Sequence, residues 1–414
     1  MPKLNLFLSS RNADIKTSLE DLRKEIGLIR KEQTKALKLL LCNLLAHPNQ
    51  SIRASRKTSS MITKRANPQG IGSRSIVSSM DALNTHGYII LKMGAYLDNK
   101  QTTISATTKL IDWFQANHWL EDDIDIFNGQ YVKLRLNEDK RSFVDFEDTE
   151  YSLWLSKELE QYSNLLNSSD IHLMDKDGNI EKEYKNHCIS RTFIKHKSHP
   201  INGEFLFGGR MAPPWVNLSK EQRKRIIING EATLEIDRPA SHVNAMYEVI
   251  TGQPYLDGYP YDLSINGSLV PKHIVKNLSS FMQGSTSTNG TAIRVGNHYK
   301  KEAAKPGAAA VAITQSEEWL AYKKKVRTST IIAKFLDKHY QVKDYYMRGK
   351  QFGDMIQCWE SDIVFEVVIE LVKLRIPVLT VYDSFIIQQQ SAELLKNLME
   401  DVRFTSRRKL ESLA

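Results

Sequence analysis

Apolar residues at Ile363, Val364, Val367, Val368, Leu371 and Leu374 recur at helical spacing within residues 360–390 and predict a helix buried along one face. Pro377 ends it, because proline cannot donate to the helical ladder and biases the residue before it away from helix. Two β-branched runs follow, Val378–Val381 and Phe385–Ile387, separated only by Tyr382, Asp383 and Ser384, which predicts a tight hairpin with a carboxylate at its turn. An unpaired charge between apolar strands is costly to bury, and a metal ion would give it a partner. Upstream, Ala232–Asp237 reads as a strand, and Pro239 as the opening of a helix running through His242, Asn244 and Tyr247 to Gly252. Asp237 then falls at the C-terminal end of a strand, beside a helix N-terminus.

The same pattern divides the rest of the chain. Thr17-x-x-Glu20 reads as a capping box, and Leu19, Leu22, Ile26, Ile29, Leu37, Leu40, Leu41 and Leu44 mark one long amphipathic helix. A helix from Ser73 is closed by Gly87 and followed by a strand, and a short helix from near Thr103 carries Leu110, Ile111 and Trp113. Tyr151–Leu166 reads as helical, and Asp175–Gly178 as a turn. In Phe205–Arg210 the paired glycines let the backbone approach something closely, ahead of a fixed cation. Pro271–Gly284 predicts a helix with Lys272 and Lys276 on one face, and Ser285–Thr314, rich in Ser, Thr, Gly and Ala, a long mobile loop.

At 414 residues, 41% of them hydrophobic, the chain can bury a core and is expected to form two to three domains. A net charge of +9 favours a polyanionic partner. From Gln33 to Met80 there is no acidic residue, while Lys35, Lys38, Arg53, Arg56, Lys57, Lys64, Arg65 and Arg74 interleave with Ser and Thr, as suits phosphate contact. Acidic residues crowd 121–150, the expected boundary of an N-terminal module. Lys220, Arg223, Lys224 and Arg225 form a second basic cluster, able to track a template strand. The three cysteines are scattered with no C-x-x-C, which argues against a disulfide framework and for a reducing cytoplasm. His187, Cys188, His196 and His199 are close in sequence, but without a second cysteine pair they read as incidental and not as a zinc site. The longest apolar run, Leu39–Ala46, is too short to span a bilayer, so no membrane is expected as a partner.

Helices followed by a β-wing, as predicted over 73–113, resemble a winged helix-turn-helix, which would set the 73–86 helix against DNA with Arg74 and Ser75 leading. Leu234-Glu-Ile-Asp237-Arg-Pro-Ala-Ser-His242 resembles motif A of family A DNA polymerases and of phage-type single-subunit RNA polymerases, and Val381-Tyr-Asp383-Ser-Phe385 resembles their motif C. The nearest likeness is to the compact family A-type polymerase-primases of bacterial phages and mobile elements, over roughly residues 140–400. The resemblance implies an α+β, multidomain fold with a winged-helix-like DNA-binding module at 1–120 and an acidic linker and helical connector, thumb-like or bridging, at 121–200. Residues 201–414 would form a right-hand palm, an antiparallel sheet with helices, with a reduced fingers insertion at about 263–330.

It also implies template-directed nucleotidyl transfer on two Mg²⁺ ions, with Mn²⁺ as substitute, held by Asp237 and Asp383 as catalytic ligands. Lys272 and Lys276, in the place of motif B, and Arg210 would bind nucleotide phosphates, although the family's Tyr-Gly is represented only by Gln283-Gly284. Arg53, Arg56, Lys57, Lys64, Arg65, Arg74, Arg223 and Arg225 would bind DNA. Expected partners are single-stranded or primed DNA, nucleoside triphosphates, and a helicase or small accessory protein of the same element, in a bacterial cytoplasm. His242 stands where family A DNA polymerases carry a glutamate against the ribose 2′ position, and Ser384 where they carry a second acid, so His242 becomes a sugar contact and unprimed synthesis an expectation. A small RNA polymerase and a non-catalytic DNA-binding replication or regulatory protein stay open as alternatives.

Overall fold

The computed structural model describes all residues except 1–2, 7, 57–66, 68, 96–100, 127–129, 138–142, 186, 197–204 and 403–414. The fold is mixed α/β with several separate sheets, and it divides into two compact units: residues 1–135 with 139–163 and 185–188, and residues 136–138 with 164–184 and 189–414.

The first unit begins with β1 (Leu8–Ser10), α1 (Ile15–Glu25) and α2 (Lys31–Leu45). The single long helix expected here is two helices, and the first begins directly after Asp14 without a side-chain cap, not at a capping box at Thr17. Gly27, at φ +72°, breaks it: its amide and that of Leu28 reach back to the carbonyls of Lys24 and Arg23, a C-terminal motif that wants a left-handed residue. After β2 (Ile52–Arg53) come α3 (Ser73–Thr85), β3 (Ile89–Lys92), β4 (Thr103–Ala106) and α4 (Thr108–Ala116). Strands pair antiparallel in the order β2-β4-β3. Helix α3 buries Ile76, Ser79, Met80 and Leu83, one stripe at helical spacing, and ends where Gly87 turns the chain at φ +75°. β1 pairs with β5 (Ile124–Ile126). Helix α5 (Glu150–Asn167), one residue longer at each end than its apolar pattern, carries the chain from the first unit into the second.

The second unit is built on a six-stranded antiparallel sheet. Its strands are β6 (Ile171–Met174), β7 (Ile180–Glu183), β10 (Ile226–Ile228), β11 (Glu231–Asp237), β14 (Val378–Val381) and β15 (Ser384–Gln388), in the order β14-β15-β11-β10-β6-β7. Two further strands, β8 (Arg191–Lys195) and β9 (Gly208–Met211), pair antiparallel outside this sheet and lie between β7 and β10 in sequence. β14 is an edge strand buried at every residue, and the Trp215 indole N–H covers that edge by donating to the Thr380 carbonyl at 2.9 Å. Helix α6 (Ser241–Thr251) starts two residues later than Pro239 suggested, because Ala240 adopts the left-handed conformation at φ +48°.

Between the two halves of the sheet the chain makes a small hairpin, β12 (Ser264–Ile265) with β13 (Ser268–Leu269), and then helices α7 (Lys272–Gln283), α8 (Thr288–Ala303), α9 (Ala310–Lys325) and α10 (Thr328–Lys338). The expected mobile loop over 285–314 is therefore mostly α8 and the first turn of α9. Ser287 caps α8 by accepting from the Gly290 amide, and Val295 and Tyr299 are buried, Tyr299 stacked on Trp319 with ring centroids 5.4 Å apart. Tertiary packing outweighs the low helix propensity of its glycines and threonines. Helix α11 (Lys350–Lys373) starts thirteen residues before the apolar stripe that announced it, and ends where Arg375 turns at φ +57° ahead of Pro377. None of the helices, among the described residues, is long and apolar enough to cross a membrane.

His339, just past α10, is buried. Its Nε2 lies 2.9 Å from the Pro260 carbonyl and its Nδ1 3.2 Å from the Tyr247 hydroxyl. Those partners suit a neutral ring that donates from Nε2 and accepts at Nδ1, and burial brings its pKa down to about 4 from 6.5. A depressed folded value means that the contribution to stability is present above pH 6.5 and is lost as pH falls through 4. The loss should approach about 3 kcal/mol. His339→Gln should flatten this acid limb in urea midpoints taken across the window; equal slopes in both proteins would assign the limb to other groups.

Candidate active site

Strand register brings the two motif aspartates together. β11 and β15 pair antiparallel with Asp237 opposite Ser384, and β14 closes on β15 with Val381 opposite Ser384. Asp237 thus ends its strand level with the first residue of β15, and Asp383 sits one residue before it in the two-residue turn. The Arg238 amide donates to the Asp383 carbonyl at 3.1 Å, and the Ser384 hydroxyl donates to Asp237 Oδ1, fixing the rotation of that carboxylate. Two non-glycine residues hold left-handed backbone beside them, Ala240 and Tyr382 at φ +58°. Bulky residues avoid that region, and such strain gathers where a site must be held in one shape. Asp237 is exposed. The Asp383 carboxyl is pushed up from its ordinary range by burial and then by the negative charge of Glu360.

Arg210 reaches this place from β9. Gly208 and Gly209, at φ +78° and +75°, follow a register shift between Thr192 and Phe193 on the paired strand. A Cβ on Gly209 would lie 2.7 Å from the Phe193 ring and 2.8 Å from the Arg191 guanidinium, so the close approach that the glycines promised is to β8. Arg191 is itself buried, donating from Nε to the Gly209 carbonyl at 2.6 Å and from Nη2 to Asp362 on α11 at 2.7 Å. Gly209→Ala is expected to destabilise by roughly 2–5 kcal/mol, from left-handed strain plus overpacking. Gly178, at φ +87° with nothing within 4 Å, is the control: alanine there carries only the conformational part, about 1–2 kcal/mol. Equal losses in urea denaturation would deny the steric half of this account.

The residue that sequence reasoning passed over is Glu360. It lies on α11, 3% exposed, with its carboxylate 2.5 Å from Arg210 Nη2 and 3.1 Å from His242 Nε2. Its signal was present: Glu360 is three and four residues before Ile363 and Val364, hence on the apolar stripe, where a carboxylate needs partners. His242 Nδ1 is 2.9 Å from the Gln283 side-chain oxygen, and Arg210 also donates to Gln357 in the amide orientation that satisfies both groups. Burial alone would raise the Glu360 carboxyl, but His242 and Arg210 outweigh it and hold it far below the carboxylate range, at about 2. Burial works against charging His242, and Glu360 reverses that, so the imidazolium is favoured. The Arg210 guanidinium also lies 5.2 Å from the Tyr382 ring centroid, which ties the network to the turn that carries Asp383. Both His242 nitrogens are therefore engaged within the protein.

Other expected residues are placed unevenly. Lys272, Lys276, Ser279 and Gln283 are spaced four, three and four apart and so share one stripe of α7. Lys276 is exposed, about 10 Å along that stripe from Gln283. Lys272 pairs with Asp262 at 3.0 Å and lies over the Tyr259 ring. Arg223 is paired with Glu235 at 2.8 and 2.9 Å, and Arg225 with Glu181 and the Met174 carbonyl, the carboxylates coming from neighbouring strands. Arg56 is likewise taken by Asp81. Arg74 is exposed in the first turn of α3, and Arg53 is half-buried on β2. Lys57, Lys64, Arg65 and His199 lie outside the described residues. His196 Nε2 is 3.2 Å from Asp354.

Among the described residues no group of three or more His, Cys, Asp or Glu is arranged to hold a metal ion by itself. The donor set at the strand ends is instead two carboxylates, hard oxygen ligands of the kind Mg²⁺ takes when water and substrate phosphates complete its shell. Comparison with family models, with curated proteins and with solved structures finds no match.

Proposed function

We propose that the chain is a template-directed nucleotidyltransferase, a compact polymerase with the ability to start chains, whose reacting centre is the Asp237–Asp383 end of the six-stranded sheet. The observation that carries this reading is the strand register that sets Asp237 opposite Ser384, one residue from Asp383, beside the cation Arg210. A six-stranded antiparallel sheet, with α6 packed on α11, agrees with a right-hand palm, and helices α7–α10 with a small fingers region. The order α2, β2, α3, β3, β4 with its β2-β4-β3 sheet agrees with a winged-helix-like module. Asp237 and Asp383 would hold Mg²⁺, which when bound lends charge stabilisation to the attacking and leaving oxygens. The chain's own part is to align the carboxylates through Ser384 and the β14–β15 turn, and to set Arg210 and Lys276 as cations for phosphate oxygens. In the reaction a 3′-hydroxyl oxygen bonds the α-phosphorus of a nucleoside triphosphate, the bond to the bridging oxygen breaks, pyrophosphate leaves, and the hydroxyl proton passes to water. The test is incorporation of labelled dNTP and, separately, NTP on single-stranded DNA with and without primer. Absence of product under every condition would return the chain to the class of non-catalytic DNA-binding proteins.

A further inference from the structure

A cavity of about 510 Å³ lies between the β12–β13 hairpin, the end of α9 and the first two turns of α10. Three of its lining side chains are cations, Lys325, Arg327 and Lys334; Thr330, Asn266 and Val326 also line it, and no carboxylate does. Each of the three cations is exposed, and none has an ion-pair partner among the described residues. Lys325 alone would be explained by the C-terminal end of α9, where a positive charge offsets the helix dipole. Arg327 and Lys334 have no such account: Arg327 stands at the N-cap of α10, whose amide end attracts anions, and Lys334 is one turn beyond Thr330 on the same helix face. Like charges facing one cavity without carboxylates call for an anion from outside. The lining contains no aromatic ring on which a base could stack. The cavity is wider than one phosphate needs, and Lys323 and Lys324 extend the charge along α9.

We propose that this cavity binds the phosphodiester backbone of a nucleic-acid strand, without reading its bases, at a place separate from the aspartate pair. The inference rests on the nucleotidyltransferase reading, because it supplies a hold on the strand that such an enzyme copies. The cavity contributes three phosphate contacts whose loss leaves the carboxylates untouched.

The experiment is fluorescence anisotropy of a labelled oligothymidylate with the full chain over a series of salt concentrations. It compares wild type with the triple variant Lys325→Gln, Arg327→Gln, Lys334→Gln, and with a charge-matched control, Lys300→Gln, Lys301→Gln, Lys396→Gln. The expected result is a salt slope lower by about 2 and an affinity at least about tenfold weaker in the cavity variant, with a smaller change in the control. The same slope in wild type and cavity variant, or an equal fall in the control, overturns the proposal. A tripolyphosphate arm separates the sources: loss of tripolyphosphate binding with an unchanged strand slope would make the ligand a small phosphate and overturn the strand assignment. A wild type that binds no strand fails the nucleotidyltransferase reading as well, whereas a binding wild type with an indifferent variant fails the cavity alone.

Discussion

Asp237→Asn and Asp383→Asn are each expected to abolish nucleotide incorporation, by on the order of a thousandfold or more, because each removes a charged oxygen ligand from the reacting centre. Their effects on stability should differ. Asp237 is exposed, so its variant should unfold like wild type. The Asp383 carboxyl is raised by burial and by Glu360, and a raised carboxyl opposes folding once pH climbs from its unfolded value of 3.8 through its folded one. That opposition is present above the folded value, and asparagine removes it. Asp383→Asn should therefore be dead and more stable than wild type, the signature of a charge kept for function at the expense of the fold. Incorporation assays paired with thermal unfolding at neutral pH check both halves. Near-normal synthesis by either variant would reject the proposed centre; an inactive but destabilised Asp383→Asn would mean that the carboxylate is structural.

The aspartate pair was legible because its surroundings are local. A β-branched run, a three-residue gap and a second run specify a hairpin, and an aspartate at the end of an apolar strand has few places to go. The register that makes Asp237 face Ser384 is not local: 147 residues separate them, and only the assembled sheet sets it. Helix boundaries failed where one residue's backbone decided them, at Gly27 and Ala240. The 285–314 segment failed for the opposite reason, since its composition says loop and its packing around Tyr299 says helix. The partners of the basic residues were not legible. Positive charge in sequence shows neither Glu235 beneath Arg223 nor Asp81 beside Arg56, because those partners arrive from other strands and helices. Lys325, Arg327 and Lys334, by contrast, gain meaning only once a turn and two helix ends bring them to one cavity.

Glu360 should carry the largest electrostatic effect on the fold of any residue at the site. Replacing it by alanine leaves Arg210 and His242 without the carboxylate between them. Loss of one partner of a buried ion pair typically destabilises by about 3–5 kcal/mol; here solvent shares the load, and about 2–4 kcal/mol is expected. Arg210 and His242 keep 29% and 25% of their side-chain surface exposed, which is why the figure is discounted. Glu360→Gln keeps the shape and a hydrogen-bonding oxygen while removing the charge, so it isolates the electrostatic part. Its pH dependence follows from two opposite shifts. The depressed carboxyl of Glu360 adds stability above its unfolded value of 4.5, lost as pH falls through its folded one. The raised imidazole of His242 adds stability below its unfolded value of 6.5, lost as pH rises through its folded one. The gap between wild type and Glu360→Gln should therefore be widest between about pH 4.5 and 6.5 and narrow at higher pH as His242 discharges, leaving the Arg210 share. NMR titration of His242 gives the independent reading: in the variant, burial prevails and its pKa drops below the wild-type value. Removing Glu360 also takes away a negative charge that raises Asp383, so the Asp383 carboxyl should fall in the same variant. A stability gap that does not vary with pH, together with an unmoved His242 titration, would show that Glu360 is held by shape alone and has no electrostatic tie to the aspartate end of the sheet.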